Sequence, residues 1–125
     1  MQQDKNMTYK AFDVVLVNFG SIEDAKEGEQ CGIRPAIIIQ NDIGNFYSDT
    51  TIVIPCTTRI KNIEQSTHSL LDAGCGGLTK DSMLLGECIR QVSKKRIIKK
   101  IGTISDRETK LEVKRVLNNA FAEVA

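Results

Sequence analysis

Arg34 stands where a glycine-punctuated polar stretch, GEQCG, gives way to a run of β-branched residues, PAIIIQ. Pro35 pushes the preceding residue into extended geometry and has no N–H for a neighbouring strand, so the arginine backbone is held at a strand mouth. A guanidinium there is a fixed cation with five donors in a planar fork, suited to a phosphate or a carboxylate. The plainer alternative is a strand-end arginine on a solvated rim. Further on, Thr57 and Thr58 follow Pro55 at the end of another apolar run. A β-branched hydroxyl at such a place has few rotamers and can donate to an anion. His68 is the only histidine in the chain and the only side chain whose unperturbed pKa lies near neutrality, which makes it a candidate for proton transfer. Packing is its plainer role. Glu29, five residues before Arg34, can accept a proton or hold the arginine; it can equally be a solvated loop carboxylate.

The bulk properties bound what such residues can serve. The 125 residues suffice for one domain with a single core, and 41% hydrophobic with 26% charged residues is ordinary for a water-exposed globular chain. A formal net charge of +1 rules out nucleic-acid binding by bulk charge, so an anion site has to come from local clustering. Lys94, Lys95, Arg96, Lys99 and Lys100 form one cluster, and Arg59 and Lys61 another. Each can track a polyanion or simply be a solvated face. Cys31, Cys56, Cys75 and Cys88 include no CxxC pair, so a structural zinc site is not expected and reduced thiols in a cytoplasmic setting are the simplest account. The N-terminal MQQDKNMTYK lacks the apolar core of a signal peptide, and no apolar run is long enough to span a bilayer.

Several short strands must position these side chains. Phe12 to Phe19, FDVVLVNF, reads as a strand; Gly20 to Gly32 as a long polar loop; and Arg34 to Gln40 as a second strand, with Ile37, Ile38 and Ile39 buried on both faces. Asn41 to Thr50 reads as a turn-forming connection, in which Phe46 and Tyr47 either stack on unpaired bases or pack locally. Thr51 to Cys56, reaching Thr57, is a third strand whose regular pairing Pro55 is expected to end. Arg59 to Gln65 is a polar loop, Thr67 to Leu71 a short strand, and DAGCGGL a glycine-rich turn. Ser82 to Val92 is expected to be one strand, with Gly86 inviting a close approach. SKKRIIKK, Ser93 to Lys100, reads as a basic helical turn before a last short strand, Ile101 to Ile104. The Ser105–Glu108 spacing is that of a capping box, and Val113, Val116, Leu117, Ala120, Phe121 and Val124 then recur at helical intervals. The sum predicts a single, mainly β (α+β) domain over residues 1–125: a small, mostly antiparallel barrel with short helices and a C-terminal helix.

The blocks GEQCGIRPAIIIQNDIGN, IPCTT, THSLL, KDSMLLGECIR and KKIGTISD, in this order and spacing, resemble the MazF/PemK family of toxin endoribonucleases, the killer halves of toxin–antitoxin pairs. The resemblance covers about Phe12 to Ile104. It implies an SH3-like barrel, a homodimer, and cleavage of single-stranded RNA without a metal or other cofactor, leaving 2′,3′-cyclic phosphate and 5′-hydroxyl ends. The family's catalytic arginine falls on Arg34 and its catalytic threonine on Thr57. Glu29, Gln30 and Glu87 match positions that contact substrate. With Thr58, Arg59, Lys61, Thr67, His68 and Ser82 they make up the set expected to bind RNA. The resemblance also implies a MazE-like antitoxin with an acidic tail that folds over the RNA groove. Cys31 and Gly86 depart from the residues common in relatives at those positions.

Internal transesterification needs the 2′-hydroxyl in line with the leaving 5′-oxygen, charge stabilisation at phosphorus, and proton movement at both ends. Arg34 suits the phosphate clamp; a guanidinium, with a pKa above ~12, does not suit the base. Two other readings compete. A non-catalytic toxin of this fold can act by binding DNA gyrase, and a plain binding module can keep the barrel without the activity.

Overall fold

The computed structural model describes residues 8–21 and 31–122. Its sheet has seven strands: β1 (Asp13–Asn18), β2 (Ile33–Ile38), β3 (Thr50–Thr57), β4 (His68–Leu71), β5 (Ser82–Leu85), β6 (Arg90–Ser93) and β7 (Ile97–Thr103). Every pairing is antiparallel, in the order β4-β5-β3-β2-β1-β7, with β6 also paired to β3. Two helices complete the fold, α1 (Asp42–Tyr47) and α2 (Arg107–Ala120). The mainly β class with a C-terminal helix is as expected. The path does not close into a barrel, because its two end strands, β4 and β7, are not paired with each other.

The central strands are apolar on both faces, and each face has its own core. Val14, Ile37, Ile54, Cys56 and Leu84 pack with Val113 and Val116 of α2. Val15, Val17, Ala36, Ile38 and Val53 pack on the other side with Tyr9, Phe19, Val92 and Ile97. Because side chains alternate along a strand, adjacent valines of β1 feed opposite cores. Val113 and Val116 are fully buried, each contributing roughly 1.5–3 kcal/mol as an upper estimate. Phe121, expected on the same stripe, lies beyond the helix end and is exposed, and Val124 lies outside the described residues.

Several local expectations are corrected. The connection after β2 contains a real helix: the Asn41 side chain accepts from the Gly44 amide at 2.8 Å, and Asn45 is buried in bonds to Gln40 and Thr51. Phe46 and Tyr47 lie on this helix, exposed and edge-to-face with each other. The span from Ser82 to Val92 is not one strand, since a 3₁₀ turn at Gly86–Cys88 separates β5 from β6. Pro55 does not end the pairing of β3; it falls in the gap between β6, which pairs as far as Val53, and β5, which resumes at Cys56 and Thr57. The helical reading of SKKRIIKK holds only for a 3₁₀ turn at Lys94–Arg96, and β7 begins at Ile97. Lysines on an end strand discourage edge-to-edge pairing, and Lys99 and Lys100 are exposed there. The α2 cap sits one residue later than the Ser105–Glu108 box: Asp106 accepts from the Thr109 amide at 2.9 Å and its hydroxyl at 2.6 Å.

Candidate active site

Antiparallel register places the candidate residues on one face. β2 and β3 pair Ala36 with Pro55 and Ile38 with Val53, and just beyond the Ala36–Pro55 pair Arg34 and Thr57, each in step with that face of its strand, line one cleft. Thr57 pairs in turn with Met83 of β5, and His68 of β4 with Leu85. Directly opposed residues project from the same face of a sheet. These side chains, with Thr58, Arg59, Lys61, Asn62 and Glu87, line a cleft of about 790 Å³. The intervening residues Ile37, Cys56 and Leu84 turn to the other face, where α2 covers them.

Arg34 is half-buried, and its Nε donates to the Cys31 carbonyl at 2.7 Å. This bond orients the guanidinium while using one of its five donor hydrogens. Just ahead of β2, two backbone bonds tie Gly32 to the end of β1, Phe19 N to Gly32 O and Gly32 N to Gly20 O. Gly20 and Gly32 have φ of 100° and 78°, a region that glycine enters without steric cost. The Thr57 hydroxyl accepts from the Arg59 amide at 3.1 Å, which keeps its own proton for donation to a ligand oxygen.

His68 is 5% exposed at the cleft floor, and both its ring nitrogens face acceptors. Nδ1 lies 2.8 Å from the Asn62 carbonyl and Nε2 2.9 Å from Glu87 Oε2. A carbonyl can only accept, so Nδ1 carries a hydrogen; an imidazolium then satisfies Glu87 as well. Burial alone pulls the imidazole pKa down. The hydrogen bonds to Glu87 and Asn62, with the charges of Glu87 and Glu64, outweigh it, and the net shift is upward. Glu87 mirrors this: burial raises its pKa, but the bond and charge of His68, its own amide and the Thr67 hydroxyl bring it below the usual value. The carboxylate is half exposed to the cleft, so it can accept from a ligand there while His68 supports it from beneath. Both ring nitrogens of His68 are thus engaged within the protein.

Other expected site residues lie elsewhere. Ser82 is buried; paired with Leu71 of the α2-side core, it donates to the Lys80 carbonyl and does not line the cleft. Thr67 sits behind the pair, bonded to Glu87 through its side chain. Glu29 and Gln30 lie outside the described residues. The basic cluster is dispersed: Lys94 donates to the Asn45 carbonyl, Arg96 to the Asn18 carbonyl at 3.1 Å, and Lys100 pairs with Asp13 at 3.3 Å. None of its members lines the cleft. The cysteines serve as packing groups rather than nucleophiles where they are deepest: burial pushes the Cys56 thiol up to about 12. Among the described residues, no group of three His, Cys, Asp or Glu side chains is placed to hold a metal ion. No helix among them is long and apolar enough to cross a membrane.

Sequence reading missed Asn62 and Gln65, which also line the cleft. Asn62 has a φ of 53°, a left-handed conformation asparagine tolerates better than most residues, and an asparagine inside a polar loop was the available signal.

Comparison with known proteins identifies relatives over most of the chain. Residues 10–121 match the family model for the PemK-like, MazF-like toxin of type II toxin–antitoxin systems. The chain is 40% identical over 90 residues to endoribonuclease EndoA of Bacillus subtilis, covering 72% of this chain and 78% of that protein. It is 40% identical over 98 residues to endoribonuclease MazF of Staphylococcus saprophyticus, covering 78% and 79%. Among solved structures, MazF from Deinococcus radiodurans superposes with a TM-score of 0.73 at 20% identity over 91% of this chain and 96% of the other. A mycobacterial endoribonuclease in complex with its cognate antitoxin gives 0.71 at 16% identity over 90% and 93%. Together with the matched span, these likenesses establish that the chain belongs to the PemK-like, MazF-like toxin family of type II toxin–antitoxin systems.

Proposed function

We propose that this chain is a sequence-selective endoribonuclease toxin that cuts single-stranded RNA by internal transesterification and so stops translation. The observation that carries the reading is that Arg34 and Thr57, at the ends of two paired strands, line one cleft. Arg34 clamps the nonbridging oxygens of the scissile phosphate and Thr57 donates its hydroxyl to the same group. The 2′-oxygen forms a bond to phosphorus as the bond to the 5′-oxygen breaks, with a net transfer of one proton from the first oxygen to the second. The products are a 2′,3′-cyclic phosphate and a 5′-hydroxyl, and no metal is required. Glu87, held ionised by His68, accepts a hydrogen bond from a nucleotide; Thr58, Arg59 and Lys61 hold the backbone on either side.

The relatives at 40% identity are named endoribonucleases, which turns the reading away from the gyrase-binding alternative. A solved neighbour is a complex with its cognate antitoxin, and others are MazE–MazF assemblies; a MazE-like antitoxin is accordingly the proposed partner here. A homodimer in the cytoplasm, where the RNA is, completes the proposal.

The test is incubation of the purified protein with a mixed RNA pool in excess chelator, with mapping of the cleaved ends. Cuts at a defined short sequence, bearing the stated ends, are expected. Arg34→Ala should lower the rate by roughly 10²–10³-fold, the usual loss when a transition-state donor is removed. A pool left intact by the wild type overturns the proposal.

A further inference from the structure

The cleft loop is held from behind by helix α2. Arg115 Nη1 donates to the Ser66 carbonyl at 3.1 Å and Nη2 to the His68 carbonyl at 3.1 Å. Asn119, one turn on, donates to Ser66 O at 2.9 Å. The carbonyl between these two, that of Thr67, accepts from the Gly86 amide at 2.8 Å. Three successive carbonyls at the entry to β4 are thus each engaged. Glu112 fixes the fork: its Oε1 accepts from Arg115 Nε at 2.9 Å and Nη2 at 2.6 Å, and from the Ser69 hydroxyl at 3.0 Å.

The segment so anchored leads back into the cleft. The Asn62 carbonyl accepts from the Gln65 amide and from the His68 ring, so the turn that carries Lys61 and Asn62 is braced against the residue whose own carbonyl Arg115 holds. We propose that Arg115 is a positioning residue for the RNA cleft: bridging two carbonyls with one planar fork, it fixes the loop that carries Arg59 and Lys61 and the seat of the His68–Glu87 pair. This deepens the nuclease reading and rests on it. Arg115 does not line the cleft, so it acts through the loop and not on substrate. An ammonium group is a point charge and cannot reproduce a bridge that depends on a planar fork.

The experiment compares wild type, Arg115→Ala and Arg115→Lys by steady-state cleavage of a short RNA containing the mapped site, by amide hydrogen exchange, and by thermal melting. Since the guanidinium is partly solvated, Arg115→Ala is expected to raise KM about fivefold to tenfold with kcat within about twofold. Amides of residues 59–65 should exchange faster while those of β1 to β3 do not, and Arg115→Lys should fall between the two. Unchanged KM and loop exchange in Arg115→Ala overturn the proposal. So does faster exchange throughout the sheet in step with a lower melting temperature, which marks a merely structural role, and so does wild-type behaviour of Arg115→Lys. A wild type that never cuts RNA overturns the nuclease reading instead, and loop exchange then decides alone whether Arg115 holds the loop.

Discussion

Gly86 is the point at which the sheet, the helix and the cleft meet, and adding one methyl group there tests the packing directly. A Cβ at this position would lie 2.6 Å from Val116 Cγ1, 2.7 Å from the Thr67 carbonyl oxygen and 3.2 Å from Thr67 Cβ. Carbon contacts are optimal at about 3.5–4.0 Å, so the neighbours would have to withdraw by roughly an ångström. Neither can do so freely. Val116 is fully buried in the core, and Thr67 lies between two carbonyls bound by Arg115. Overpacking of this kind costs roughly 1–3 kcal/mol, and the lower backbone entropy of an unfolded alanine returns about 0.4–1 kcal/mol. Taking the middle of each range, Gly86→Ala should destabilise by about 1.3 kcal/mol, lowering the melting temperature by about 5 °C at some 4 °C per kcal/mol for a chain of this size. A double-mutant cycle sharpens the expectation. Val116→Ala alone opens a cavity, but in the Gly86→Ala background the same truncation relieves the closest clash, so the two should couple by at least ~0.5 kcal/mol in thermal or urea melts. A variant at least as stable as wild type, or strict additivity in the cycle, would refute the reasoning.

Two further expectations concern the cleft. The raised pKa of His68 means that its ion pair contributes fully below about 6.5, the ordinary histidine value, and fades as the pH rises through the folded-state value. The lowered pKa of Glu87 contributes above about 4.5 and fades as the pH falls through its own folded-state value. Wild type should thus gain most over Glu87→Gln between these limits, and the gap should narrow on either side, as the pH rises through the folded-state value of His68 or falls through that of Glu87; the NMR titration of the chain's single histidine should move to lower pH in the variant. Identical titrations and identical pH–stability profiles would exclude the pair. Lys61→Ala should weaken RNA binding across sequences and reduce the slope of log affinity against log salt by about 0.7, the increment for one phosphate contact on a single strand. An unchanged slope would remove Lys61 from the backbone contacts.

Much of the fold was legible because burial leaves a local trace. The valine and isoleucine runs of β1, β2 and β3 mark strands covered on both faces, and Val113 and Val116 mark the face of α2 that docks. The unread parts depend on distant partners. The six-residue α1 is stabilised by the buried Asn45 network with Gln40 and Thr51, more than by any helical periodicity. The break between β5 and β6 comes where Thr67 and Val116 crowd Gly86. The Ser82 hydroxyl was expected at the substrate, yet strand alternation turns it toward the helix; a pairing slip of one residue would reverse that face.

By itself the sequence determined the reactive inventory: a cation held at a strand mouth by Pro35, hydroxyls after Pro55, one histidine, and a glycine ahead of Glu87. Only the tertiary structure decided how they combine. Strand pairing brings Arg34 and Thr57 to one cleft, a bond across 19 residues sets His68 beneath Glu87, and one across 49 residues ties Arg115 to the loop from behind. The reason is physical: side-chain type and local period are encoded residue by residue, whereas the partner of a strand or a guanidinium is chosen by which long-range pairings bury the most surface with every polar group satisfied.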